Sequence, residues 1–141
     1  MSNPQQLRYT VDITGTDVDA IESFVTTRTA EQLATHDPDT TEHRMAAAVE
    51  RMLQSAVLDA RSALNRLAEP EQAELYGELE LRHELKNGWN QLVRAASPWR
   101  QDPGYGTGRW CRVTHTNASY ERAIQHDMEK ARAARTAGAS A

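Results

Sequence analysis

From Met45 the apolar residues recur at Ala48, Val49, Met52, Leu53, Ala56, Val57, Ala60, Ala63, Leu64 and Leu67, with no break in the i, i+3/i+4 series. Such spacing puts one stripe on a helix of about eight turns. The stripe drifts at 3.6 residues per turn: Asp59 falls where a strict seven-residue repeat would need an apolar side chain. That favours a globular bundle over a long coiled coil. The His36-Asp37-Pro38-Asp39 break precedes the rod, and Asp39 with Glu42 three positions on resembles a capping box. The stripe predicts that Met52→Asp or Leu64→Asp unfolds the domain, because an unpaired charge in a core is costly.

Glu69-Pro70 resets the helix, since proline is tolerated in a first turn. Leu75, Leu81, Leu85, Trp89, Leu92 and Ala96 then keep one helical phase, and Asn87-Gly88 marks a weak point in it. Residues 40–68 and 70–96 therefore predict an antiparallel helical hairpin. Two further helices are expected to pack on it. The first runs from Asp17, capped by Thr16 or Asp17, to about Ala34, with Thr26, Thr27 and Thr29 lowering its propensity. The last follows Asn117 or Ser119 as cap and carries Tyr120, Ile124, Met128 and Ala131. In residues 7–13, Leu7, Tyr9, Val11 and Ile13 alternate with polar residues, which predicts a half-buried strand. Residues 110–114, or 7–13 of a second copy, are its candidate partners. The fold class is thus mainly α with a minor β element, in a single domain over 1–141 whose ends, 1–6 and 136–141, are expected to be flexible.

Composition narrows the function classes. Of the 141 residues, 39% are hydrophobic and 26% charged, for a net charge of −4, which suits one folded core. The opening Met-Ser-Asn-Pro-Gln-Gln shows no basic stretch followed by an apolar one, and no apolar run nears membrane-spanning length, so a cytoplasmic protein is expected. The single cysteine, Cys111, excludes an internal disulfide and a multi-cysteine zinc site. Charge is uneven: residues 1–96 carry 9 basic and 16 acidic side chains, and residues 97–141 carry 7 and 4. An acidic body with a basic end suits either an anionic ligand or contact between subunits.

The most unusual feature is the segment in which Trp99, Tyr105 and Trp110 alternate with Arg100, Arg109 and Arg112. These six form the candidate interaction surface. Rings and guanidiniums together suit single-stranded nucleic acid, but the same residues also suit an ordered loop closing a bundle end, with arginines lying over rings. The bundle end carries more weight, because aromatic side chains are usually core.

Other constellations are incomplete. Gly104-Tyr105-Gly106-Thr107-Gly108 has no Lys-Ser/Thr after it and no strand leading in, so it reads as a turn needing positive φ rather than a phosphate loop. His36, Asp37, Asp39, Glu42 and His43, and the Glu80-x-x-His83 pair, fall short of a metal-ligand count, and His36→Ala or His83→Ala should be nearly silent. Cys111 and His115 lie too far apart along a strand for a thiol–imidazole pair, so Cys111 reads as a small buried side chain. Asn117-Ala-Ser119 reads as a helix cap.

No catalytic residues, metal or cofactor are expected from this set. The reading is a non-enzymatic helical interaction module that assembles with itself or a protein partner. Surplus apolar surface on the long helix, including Met45 and Met52, would favour a partner chain. A nucleic-acid accessory role for the basic C-terminal third is the alternative, disfavoured by the acidic total charge.

Overall fold

A computed structural model describes residues 7–139. It is mainly helical: α1 (Gly15–Thr35), α2 (Thr41–Ala68), α3 (Pro70–Tyr76), α4 (Glu78–Ala96) and α5 (Ala118–Ala139), with short 3-10 turns at Thr10–Asp12 and Ser97–Trp99. Helix α2 is the centre, packed against both α4 and α1, which also touch each other. Its stripe buries Leu53, Ala56, Val57, Ala60 and Ala63 against Val18, Ile21 and Val25 of α1 and Leu85, Trp89 and Leu92 of α4.

Small residues let α4 come close. A Cβ built on Gly88 would stand 3.2 Å from both the Ala56 carbonyl oxygen and the Ala60 nitrogen. Gly88 is therefore a helix-crossing point and not a weak one, and α4 continues through it. The interruption of 70–96 lies eleven residues earlier, at Gly77, whose φ of 84° separates α3 from α4. A left-handed residue cannot continue a right-handed helix, and glycine takes that conformation without strain. With Arg66 lying over the Tyr76 ring and Gly88 over Ala56 and Ala60, α4 returns antiparallel to α2.

The hairpin expectation holds for α2 and α4, but several finer expectations do not. Met52 is 58% exposed and Met45 is exposed as well, because both lie at the edge of the stripe. The predicted unfolding by Met52→Asp is withdrawn accordingly. Leu75 stands 74% exposed, since Gly77 turns α3 out of the phase that α4 keeps.

No strand is present among the described residues. The expected β element at 7–13 is a single isolated parallel bridge, Tyr9 with His115, followed by the Thr10–Asp12 turn. The turn replaces period two with period three: Leu7, Thr10 and Ile13 are buried while Val11 is exposed. Residues 110–114 form no strand either. They run as an irregular segment whose Trp110, Val113 and Thr116 are buried.

That segment is sealed by α4. Trp89 Nε1–H donates to the Cys111 carbonyl at 3.0 Å, and Asn90 both donates to the Val113 carbonyl and accepts the Val113 amide. Helix α5 packs against no other helix among the described residues, which corrects the expectation of two further helices packed on the hairpin. Only α1 does so. Its start is capped by Thr14, two or three residues earlier than predicted, and α2 is capped by Thr40 and not by Asp39. Asn117 Oδ1 accepts the Tyr120 amide at the start of α5, which continues past Thr136 to Ala139. Of the ends expected to be flexible, 1–6 and 136–141, residues 136–139 belong to α5, and residues 1–6 and 140–141 lie outside the described residues.

Candidate interaction surface

The aromatic–arginine segment folds onto α1. Arg109 reaches Asp17 with two hydrogen bonds, at 2.7 and 2.8 Å. Asp17 is also the third residue of α1, where its carboxylate accepts the Thr14 amide and hydroxyl while the Thr14 oxygen accepts the Asp17 amide. Burial alone would raise the Asp17 carboxyl, but the bonds from Arg109 and Thr14 outweigh it and hold the group below its ordinary value. The Asp17 carboxylate raises Arg109 in turn. One ion pair thus ties the loop to a helix N-terminus, where negative charge is favoured.

A second clamp sits further along α1. The Arg28 guanidinium lies 3.5 Å above the Phe24 ring and donates to Asp102 and to the Pro103 carbonyl. Between the clamps, Phe24, Tyr105 and Trp110 meet edge to face, with centroids 4.9 to 5.7 Å apart. Such rings attract edge to face because the positive rim of one meets the negative face of another. Burial raises the Tyr105 phenol. Gly104 supplies the expected positive φ, at 90°. Gly106 is needed for another reason: a Cβ there would stand 2.8 Å from the Trp110 indole. A shallow cleft of about 600 Å³ remains beside Thr14, Asp17, Ala20, Tyr105, Gly106 and Arg109.

The six candidate residues are therefore divided. Tyr105, Arg109 and Trp110 gather on α1, with Trp110 buried and Arg109 ion-paired. Trp99 packs half-buried against the core from its 3-10 turn. Arg100 and Arg112 are exposed, Arg112 in a groove beside Asn90 and Arg94 of α4. Cys111 is half-buried. Among the described residues no group of three or more His, Cys, Asp or Glu side chains is placed to hold a metal ion.

Two exposed apolar features were not singled out by the sequence reading as a pair. One is the α3–α4 junction, where Leu75, Tyr76 and Leu79 are all exposed. The other is α5, with Tyr120 and Met128 exposed. The Tyr9 hydroxyl donates to Glu121 near the start of α5, and that bond raises the phenol. The signal for the first lay in Gly77, a glycine whose conformational freedom breaks the helical phase.

Fold and surface define a small, mainly helical protein with a clamped aromatic loop and a projecting C-terminal helix. Comparison with protein-family models, with curated proteins and with solved structures finds no match. No helix among the described residues is long and apolar enough to cross a membrane.

Proposed function

We propose that the protein is a helical interaction module without catalytic activity, a cytoplasmic adaptor or small subunit that assembles with itself or with a protein partner. The observation that carries this reading is α5. It has 22 residues, about 33 Å of helix; it packs against no other helix among the described residues, and of its stripe Tyr120, Met128 and Ala131 are exposed while Ile124 is half-buried. Helices in proteins gain most of their stability from packing of an apolar face, so a helix of this kind is completed by another chain. At the α3–α4 junction Leu75 and Leu79 add a second exposed apolar surface, beside a Tyr76 ring that Arg66 covers on one face.

The nucleic-acid alternative through Trp99, Arg100, Tyr105, Arg109, Trp110 and Arg112 has less support. Stacking needs open ring faces, whereas Trp110 is buried and Arg109 is bonded to Asp17. Light scattering at micromolar concentration, with co-purification from native cells and identification of bound protein and nucleic acid, tests both readings. An oligomer or a stoichiometric protein partner is expected. A monomer that brings no protein with it sinks the proposal, and single-strand binding lost in a Trp99→Ala, Arg109→Ala variant would install the alternative.

A further inference from the structure

The two exposed apolar features carry opposite charge. Residues 69–84, which span α3 and the start of α4, hold six glutamates (Glu69, Glu71, Glu74, Glu78, Glu80 and Glu84) against the single Arg82. Leu75, Tyr76 and Leu79 lie among them, at 74%, 47% and 50% exposure. The last ten residues of α5, 130–139, hold Lys130, Arg132 and Arg135 and no acidic side chain. Met128, Ala131, Arg132 and Arg135 follow the i, i+3, i+4, i+7 spacing and so share one helix face. All four are exposed. One surface is apolar with an acidic rim, and the other sets Met128 and Ala131 beside Arg132 and Arg135, with Asp127 and Glu129 next to Met128 in sequence.

We infer that the C-terminal half of α5 docks on the Leu75–Tyr76–Leu79 patch of a second copy of this chain, with Arg132 and Arg135 facing Glu74 and Glu78. The inference rests on the interaction-module reading and names its partner. Within one chain α5 touches neither α3 nor α4. A second copy supplies both halves at once. If each copy lends its helix to the other, the contact closes on a two-fold axis and both patches are covered. Apolar burial supplies affinity, and the charge pattern sets orientation and suppresses other registers.

Full-length protein tests this by sedimentation and light scattering at about 0.05 M and about 0.5 M salt. The wild type should run at twice the 15.8 kDa chain mass, and less so in high salt. Arg132→Glu with Arg135→Glu, and separately Glu74→Lys with Glu78→Lys, should each raise the dissociation constant at least about tenfold. Circular dichroism should show both folded, since all four side chains are exposed and the Glu78–Arg82 bond is a surface pair. An equimolar mixture of the two variants should reassemble as a one-to-one dimer, because both contacts are again complementary.

Variants that both dimerise as tightly as the wild type overturn the docking and leave the interaction-module reading standing. So does a mixture that fails to reassemble. Loss on altering α5 but not Glu74 and Glu78 means that α5 meets another surface, and the docking falls. A monomer bound to a different protein also removes it alone, whereas a monomer without any partner removes both.

Discussion

Arg109 grips Asp17 across 92 residues of sequence, Nε to Oδ1 at 2.7 Å and Nη2 to Oδ2 at 2.8 Å. The Asp17 side chain is nearly buried, so the pair does what a surface ion pair does not. It fixes the position of the Gly-rich loop relative to α1, and with it the seat of Trp110. Removing Arg109 leaves a desolvated carboxylate with only its Thr14 bonds. Arg109→Ala should therefore cost about 2 kcal/mol. Arg100→Ala, at an exposed site, should stay within about 0.5 kcal/mol. Urea titration of the two variants separates them.

The same pair makes stability depend on pH. The Asp17 carboxyl is held below its ordinary value in the folded chain. Its contribution is therefore complete above the unfolded value and is lost as pH falls through the folded one. Asp17→Asn should be less stable than wild type at neutral pH, and the gap should narrow as the solution is taken from about pH 5 toward pH 2. Paired thermal melts across that range check the sign. A gap that widens in acid contradicts it.

Gly88→Ala opposes two effects. Alanine favours a helix over glycine by about 1 kcal/mol. The new methyl, however, meets α2 backbone atoms at 3.2 Å, and a packed helix cannot yield as a side-chain tip can. The expected outcome is net destabilisation by about 1 kcal/mol, and more for Gly88→Val. A raised melting temperature in Gly88→Ala would show that α2 and α4 can part.

Neighbouring positions on α2 should behave in opposite ways. Leu53 is fully buried, whereas Met52 is largely exposed. Leu53→Asp should abolish the cooperative melt, because a charge would enter the core without a partner. Met52→Asp should change stability by no more than about 0.5 kcal/mol. Circular dichroism melts of the pair read the phase of the helix directly.

Gly106→Ala should loosen the aromatic loop without unfolding the bundle. The added methyl collides with the Trp110 indole at 2.8 Å, and the ring must leave Phe24 and Tyr105. Near-ultraviolet dichroism should fall and tryptophan emission should shift to the red, while helical content stays close to wild type. Trp89, buried and bonded to the Cys111 carbonyl, should keep its own signal.

The helix positions were legible in the sequence because a 3.6-residue apolar period and short capping residues act locally. The threonines of α1 show the limit of that reading. Thr29 lowers helix propensity, yet across the α1–α2 contact its hydroxyl donates to Glu50 at 2.6 Å, with Thr26 donating to the same carboxylate. Arg61 likewise reaches Asp19 and Glu22 from α2. No local pattern reports such partners, since they lie more than twenty residues apart in the chain. The candidate surface followed the same division. Its rings and guanidiniums were visible as a run of residues, but the fold bonded Arg109 to Asp17 and set Arg112 apart on the α4 side.

By itself the sequence determined that this chain is mainly helical, that residues of about 40–68 form its longest rod, and that breaks fall near Pro38 and Pro70. Period and backbone stereochemistry settle those points within a few turns of chain. Only the tertiary structure decided which side of the rod is covered, that Gly88 joins helices while Gly77 parts them, and that residues 110–113 bond to α4 while α5 packs on no other helix among the described residues. Those outcomes depend on contacts between segments far apart in the chain, which bury Trp110 and Val113 and leave Tyr120 and Met128 exposed.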